Sequence, residues 1–142
     1  MHRPPSSPPA AAPTPPAPSG PVAPQAGKYA GKTGQHDGHV YTTIGAAGVT
    51  RTNIEFNLHC RSGRRGPLIQ TVVWNPSLTL TASGGAWVFS TKYKDTQGSR
   101  YAITGTLPAA GAATGATGTV TVTTRNGRCT TGLVHWSAAT PT

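Results

Sequence analysis
From Lys28 onward the apolar positions recur at every second residue, the period of a half-buried strand and not of a helix. The run Asn53-Ile54-Glu55-Phe56-Asn57-Leu58-His59-Cys60 is the cleanest case. Ile54, Phe56, Leu58 and Cys60 share one face; Asn53, Glu55, Asn57 and His59 share the other. Further strands are predicted at Tyr41–Ile44, Leu68–Trp74, Ala86–Tyr93 and Thr119–Thr124. Leu78 and Leu80 alternate with Thr79 and Thr81; Tyr101, Ile103, Gly105 and Leu107 form another stripe; Val134, Trp136 and Ala138 form the last. Trp87, Phe89 and Thr91 are expected on the inner side of their strand. Gly, Thr and Pro interrupt the chain too often for a helix. The pattern predicts an all-β fold, an antiparallel β-sandwich of about eight strands.

Turn residues fall between these runs. Asp37-Gly38 and Asn126-Gly127 are candidates for type I′ hairpin turns, and Ser83-Gly84-Gly85 and Gln97-Gly98 separate other strands. Pro108–Thr119 is rich in Gly, Ala and Thr, and reads as a loop that passes into a strand. Cys129 has the wrong parity for the Trp136 stripe, so a bulge is expected near Gly132.

Composition divides the chain near Ala26. Ten of the 14 prolines lie in residues 1–26, a Pro/Ala-rich stretch without helix or ladder potential, expected to be a disordered, extended linker. Residues 27–142 form the predicted domain and hold all three tryptophans, both phenylalanines and all four tyrosines. No run of residues is apolar enough to span a membrane. Met1–Ala10 lacks the apolar core of a signal peptide, so export of the domain implies a start further upstream or a longer precursor.

Charge is one-sided, with 12 Lys and Arg against three acids, Asp37, Glu55 and Asp95. Such a surface attracts anions, whether nucleic acid, acidic wall polymers, glycans or lipid head groups. The three acids read as turn or surface residues and offer no pair for glycoside chemistry. His36-Asp37-Gly38-His39 places two imidazoles near a carboxylate, but in an expected hairpin turn and without a recognised ligand spacing. No nucleophile elbow and no phosphate loop is present. No catalytic residue, metal or cofactor is therefore predicted. The two cysteines, Cys60 and Cys129, suggest one disulfide; two buried free thiols are the alternative. A bridge closing a loop of about 70 residues contributes about 4 kcal/mol on the chain-entropy account.

Two clusters are candidate binding residues. A Cys60–Cys129 bridge would gather Arg61, Arg64, Arg65, Arg125 and Arg128 at one rim, where guanidinium forks suit phosphate, sulfate or carboxylate. Trp74 and Trp87, if exposed, would stack on sugar rings. Trp74 is expected to end its strand before Asn75-Pro76.

The motifs Gly27-x-Tyr29-x-Gly31, Tyr101-x-Ile103-x-Gly105, Gly115-x-x-Gly118-Thr119 and Gly127-x-Cys129-x-Thr131-Gly132-x-x-x-Trp136-x-Ala138 have a recognisable spacing. It resembles that of small exported β-sandwich domains of high-GC bacteria, especially actinobacteria, mostly of unknown function. The resemblance covers nearly the whole chain after Ala26. It implies an extracytoplasmic antiparallel sandwich with its two cysteines paired, secreted or attached to the envelope, and it carries no catalytic residues. The expected function is a non-catalytic binding or adhesion module for anionic glycans or polymers. A structural or inhibitory domain acting on another protein, with Arg64 and Arg65 at an inhibitory loop, ranks second, and a small hydrolase last.

Overall fold
The computed structural model describes residues 22–35, 38–61, 63 and 65–141. His36, Asp37, Arg64 and most of the predicted linker, residues 1–21, lie outside them. The alternating runs become ten strands: β1 (Gly27–Thr33), β2 (His39–Gly45), β3 (Gly48–Cys60), β4 (Arg65–Leu78), β5 (Thr81–Ser83), β6 (Ala86–Lys94), β7 (Arg100–Pro108), β8 (Ala116–Thr123), β9 (Cys129–Thr130) and β10 (Val134–Ala139). Two of the ten, β5 and β9, are three and two residues long, which accounts for the excess over eight. Among the described residues there is no helix, and so none long and apolar enough to cross a membrane.

All neighbours are antiparallel, in the order β10-β1-β2-β3-β9-β8-β7-β6-β5. β10 also pairs with β8, so β10, β1, β2, β3, β9 and β8 close into a six-strand ring. β4 flanks β3 on the outside of this ring, and β7, β6 and β5 extend from β8. The result is close to a sandwich: β4-β3-β2-β1 faces β8-β7-β6 across one core. Phe56 and Tyr101 meet edge to face at 6.2 Å across it, and Trp74 and Tyr93 at 5.8 Å.

The predicted inner stripes are the core. Ile54, Phe56 and Leu58 are buried, as are Tyr101, Ile103 and Leu107, Val120 and Val122, and Val134, Trp136 and Ala138. Apolar burial of this kind supplies most of the stability of a domain of this size. Gly84 and Gly85 both adopt positive φ, 57° and 84°, between the paired residues Ser83 and Ala86, as a two-residue type I′ turn requires.

Three local expectations change. Asn126-Gly127 is not a two-residue hairpin: the turn hydrogen bond runs from Gly127 N to Thr124 O at 2.8 Å, within a longer link from β8 to β9. Near Gly132 the chain does not bulge within one strand; β9 ends, Gly132 takes φ 64°, and β10 begins at Val134. Trp136 is buried and Cys129 packs against the core, so the parity conflict is resolved by a break instead. β4 does not stop at Trp74 but continues through a cis Asn75-Pro76 bond to Leu78, with a register shift opposite β3. Proline is tolerated there because β4 is an edge strand.

The body of the domain also starts earlier than Gly27. Ala110 N donates to Ala23 O at 3.0 Å, Trp87 Nε1 to Val22 O at 2.9 Å, Tyr29 Oη to Gln25 O at 2.7 Å, and Gln25 Nε2 to Pro141 O at 2.8 Å. Packed Trp and Tyr side chains need an acceptor for their N–H and O–H groups, and the incoming chain supplies its carbonyls.

Strand direction gives the molecule two unlike ends. One end carries the tail at Val22 and the links after β2, β4, β5 and β7, and none of these segments holds a charged residue. The other end carries the disulfide and the links after β3, β6 and β8, and Arg61, Arg65, Lys94, Arg100, Arg125 and Arg128 lie around it, whereas Lys28 and Arg51 lie toward the tail end.

Candidate functional site
Cys60 and Cys129 are bonded, with Cα atoms 4.0 Å apart in directly paired positions of β3 and β9. Arg61 N donates to Arg128 O at 2.9 Å, so these two arginines are neighbours through their backbones, and both side chains are exposed. Arg65 opens β4 opposite His59 at the same end. Arg125 is exposed as well, and its stem packs over Gly98 in the link between β6 and β7. The structure thus places Arg61, Arg125, Arg128 and the backbone of Arg65 at the disulfide end.

A second basic group stands beside them and was not singled out from sequence. Lys92 and Lys94 are two residues apart on β6, so both face outward while Tyr93 turns to the core. Arg100, first residue of β7, is directly opposite Lys94. Arg100 in turn pairs with Thr123 of β8, and Ala102 with Thr121. Lys92, Lys94, Arg100, Ala102, Thr121 and Thr123 line an open groove of about 430 Å³. The spacing Lys92-x-Lys94 places both cations on the face opposite Phe89, but their meeting with Arg100 depends on the β6–β7 register.

No carboxylate among the described residues neutralises these cations. Asp95 follows Lys94 but points back into its own turn. Its Oδ1 accepts from Gln97 N and Ser99 N, both at 2.9 Å, and its Oδ2 accepts from Tyr101 Oη at 3.0 Å. Glu55 pairs with His39 on the outer face of β2 and β3. His59 and His135 are exposed. Lys28 Nζ sits 4.2 Å above the ring of Tyr41, a cation–π contact on the other sheet.

The tryptophans stand differently from the arginines. Trp74 and Trp87 are half-buried and pack against the core. Trp74 donates from Nε1 to Thr52 Oγ1 at 3.1 Å and meets Tyr93 edge-on. Trp74 meets Tyr93 between β4 and β6, and Trp87 holds the tail at Val22 and lines an open groove with Leu80 and Ala47. On β4, Ile69 and Val73 are the large apolar residues that reach solvent among the described side chains.

Tyr101 links the basic end to the core. Burial, and then the hydrogen bond that the hydroxyl donates to the Asp95 carboxylate, push its phenol well above the usual tyrosine range. Burial raises Tyr29 too. A phenol with a higher pKa folded than unfolded holds its proton longer in the native state. Its contribution is complete below about pH 10 and is lost as pH rises through the folded value. The unfolding free energy therefore falls as pH rises above about 10, and Tyr101→Phe makes that fall shallower. Urea unfolding at stepped alkaline pH checks this; an equal slope in both proteins contradicts it.

Comparison of the chain with protein-family models, with curated proteins and with solved structures finds no match.

Proposed function
We propose that this chain is a non-catalytic, exported module that binds anionic glycans or polymers of the cell envelope or its surroundings, using Lys92, Lys94 and Arg100 with the adjoining arginine rim. The observation that carries the reading is the direct pairing of Lys94 with Arg100. Like charges opposite each other in an antiparallel pair weaken a sheet by roughly 0.2–1 kcal/mol. A local rule broken without a compensating carboxylate points to a functional site. An incoming sulfate, phosphate or carboxylate supplies the missing charge. The disulfide favours an oxidising compartment. Val22 is held by Trp87 at the end opposite the groove of Lys92, Lys94 and Arg100.

The test couples stability to affinity. Lys94→Thr is expected to raise the unfolding free energy by roughly 0.5 kcal/mol while weakening heparin binding. The triple variant Lys92→Gln, Lys94→Gln, Arg100→Gln is expected to weaken it roughly 100-fold, at about 1 kcal/mol for each exposed charge. Wild-type affinity is expected to drop between 50 and 300 mM salt, as it does for charge-driven binding on the order of one Debye length. Heparin affinity indifferent to salt, or unchanged in the triple variant, overturns the proposal.

A second reading, a domain that binds or inhibits another protein, is favoured by β4. Among the described residues that strand pairs with β3 alone, and it presents Ile69 and Val73 to solvent, 62% and 61% exposed. Inhibition of trypsin that is abolished by Arg64→Ala would support it.

A further inference from the structure
The basic groove does not end at Thr121. Along β8 the residues Thr117, Thr119, Thr121 and Thr123 alternate outward over about 20 Å, at ~3.4 Å per residue. The lower two line the cationic groove. The upper two line another open groove, of about 570 Å³, with Thr104 and Thr106 of β7, His135 and Ser137 of β10, and Lys32 of β1 at its far side. Register makes this a lattice of hydroxyls: Thr104 is opposite Thr119 and Thr106 opposite Thr117, while Ser137 pairs with Thr117 on the other side. Thr104 and Thr119 share a hydrogen bond of 2.7 Å between their hydroxyls, which fixes the floor. Thr106, Thr117 and Ser137 are exposed, and their hydroxyls have no protein partner among the described residues. Only Ala102, with its small side chain, separates the two grooves on β7.

One face of β7 and β8 thus offers cations at one end and free hydroxyls at the other, on a single continuous rail. A simple polyanion would use Lys92, Lys94 and Arg100, with Lys32 beyond, and leave the hydroxyls of Thr106, Thr117 and Ser137 unused. A sugar chain has both requirements, a charged substituent and several ring hydroxyls that exchange hydrogen bonds with threonine. The outward positions of β7 and β8 hold no aromatic side chain on which a nucleobase would stack. We infer that the ligand is a charged oligosaccharide lying along β8, its anionic group between Lys92, Lys94 and Arg100 and its uncharged ring hydroxyls on Thr106, Thr117 and Ser137. This inference rests on the binding function proposed above and specifies the ligand class of that same site.

The probes are a sulfated tetrasaccharide cut from heparin, neutral maltotetraose, inorganic sulfate and a single-stranded thymidine hexanucleotide. Valine is a strand-compatible isostere for threonine, so Thr106→Val with Thr117→Val removes hydroxyls from an exposed surface with the sheet intact. The double variant is expected to bind the tetrasaccharide roughly tenfold more weakly, while inorganic sulfate shifts the amide resonances of Lys94 and Arg100 as in the wild type. Amide shifts at Thr106, Thr117 and Ser137 are expected with the tetrasaccharide and not with sulfate. If the double variant binds the tetrasaccharide unchanged but Arg100→Gln with Lys94→Thr loses it, the saccharide inference fails and the anion-binding function stands. If the hexanucleotide binds as tightly as the tetrasaccharide and ignores the valines, the site reads charge alone and the inference fails. If the Lys94 and Arg100 variant keeps full affinity for both, the function and the inference fall together.

Discussion
Replacing Trp136 by alanine lowers the unfolding free energy by roughly 3–5 kcal/mol, the usual cost of removing a large buried aromatic side chain. Trp136 is 3% exposed and sits on β10, the strand that closes the ring by pairing with both β1 and β8. Its indole N–H donates to Thr104 O at 3.1 Å, reaching across β8 to β7. It therefore ties three strands, and truncation leaves a cavity at the seam and removes the hydrogen bond to Thr104 O. The site was shaped for the ring. A Cβ on Gly118 would lie 2.4 Å from the indole and 2.0 Å from Thr104 O. Gly118→Ala is thus strongly destabilising in the wild type, and Trp136→Ala relieves only half of the conflict because the backbone carbonyl stays in place. Denaturant unfolding of the two single variants and the double variant checks this. A Trp136→Ala cost under about 1 kcal/mol, or full rescue of Gly118→Ala in the double variant, contradicts it.

That pair also explains what the motif spacings encode. Gly118 and Trp136 are part of the pattern read from sequence, and their joint meaning is one ring resting on one bare backbone. The stripes were legible because burial on a single face imposes period two, so Ile54, Phe56 and Leu58 announced a strand by themselves. Closure was not legible. Nothing in Ala30 or Ala139 says that they are register partners, since the β1–β10 ladder is set by the curvature of the whole sheet. The link from β9 to β10 was foreseen as an irregularity at Gly132, but a parity mismatch alone cannot distinguish a bulge from a strand break. Trp74 was misplaced because Pro76 reads as a terminator, whereas an edge strand has no ladder hydrogen bond to lose on its outer side.

The candidate site follows the same logic. The arginines next to Cys60 and Cys129 were found through the disulfide, a covalent constraint visible in composition. Lys92, Lys94 and Arg100 were missed because solvent-facing positions carry no hydrophobic signal. Their significance lies in cross-strand register, Lys94 against Arg100, which only the folded chain displays. The hydroxyl rail on β8 was likewise read as the polar side of a strand. It becomes a surface only when Thr104 and Thr106 of β7 and Ser137 of β10 are brought into line with it.

Removing the bridge by Cys60→Ser with Cys129→Ser is expected to cost about 4 kcal/mol, which in a domain of this size lowers the melting temperature by roughly 15–20 °C. The sequence separation of 69 makes the entropic constraint on the unfolded chain large. In the native state the bridge secures β9. This strand has two residues, pairs with β3 only at His59 and Cys60, and meets β8 only at Thr123. Among the described residues it is nevertheless the strand that joins β3 to β8 in the ring. Without the covalent tie the ring has too few ladder bonds there to stay shut against fraying, so loss of order is expected to begin at that seam. Hydrogen exchange of the double variant should quicken at the amides of Arg61 and Thr131, which donate to Arg128 O and Val122 O across the seam, and stay slow at Ile103 and Val120. The groove of Lys92, Lys94 and Arg100 is built on β6, β7 and β8, whose mutual pairing is independent of β9. Heparin affinity under conditions where the variant remains folded is therefore expected to lose only the share that Arg61 and Arg128 contribute. Unchanged denaturation midpoints after serine substitution would show that hydrogen bonding alone holds the ring closed, and a complete loss of heparin binding would place the anion site on the arginine rim instead of the β6–β8 groove.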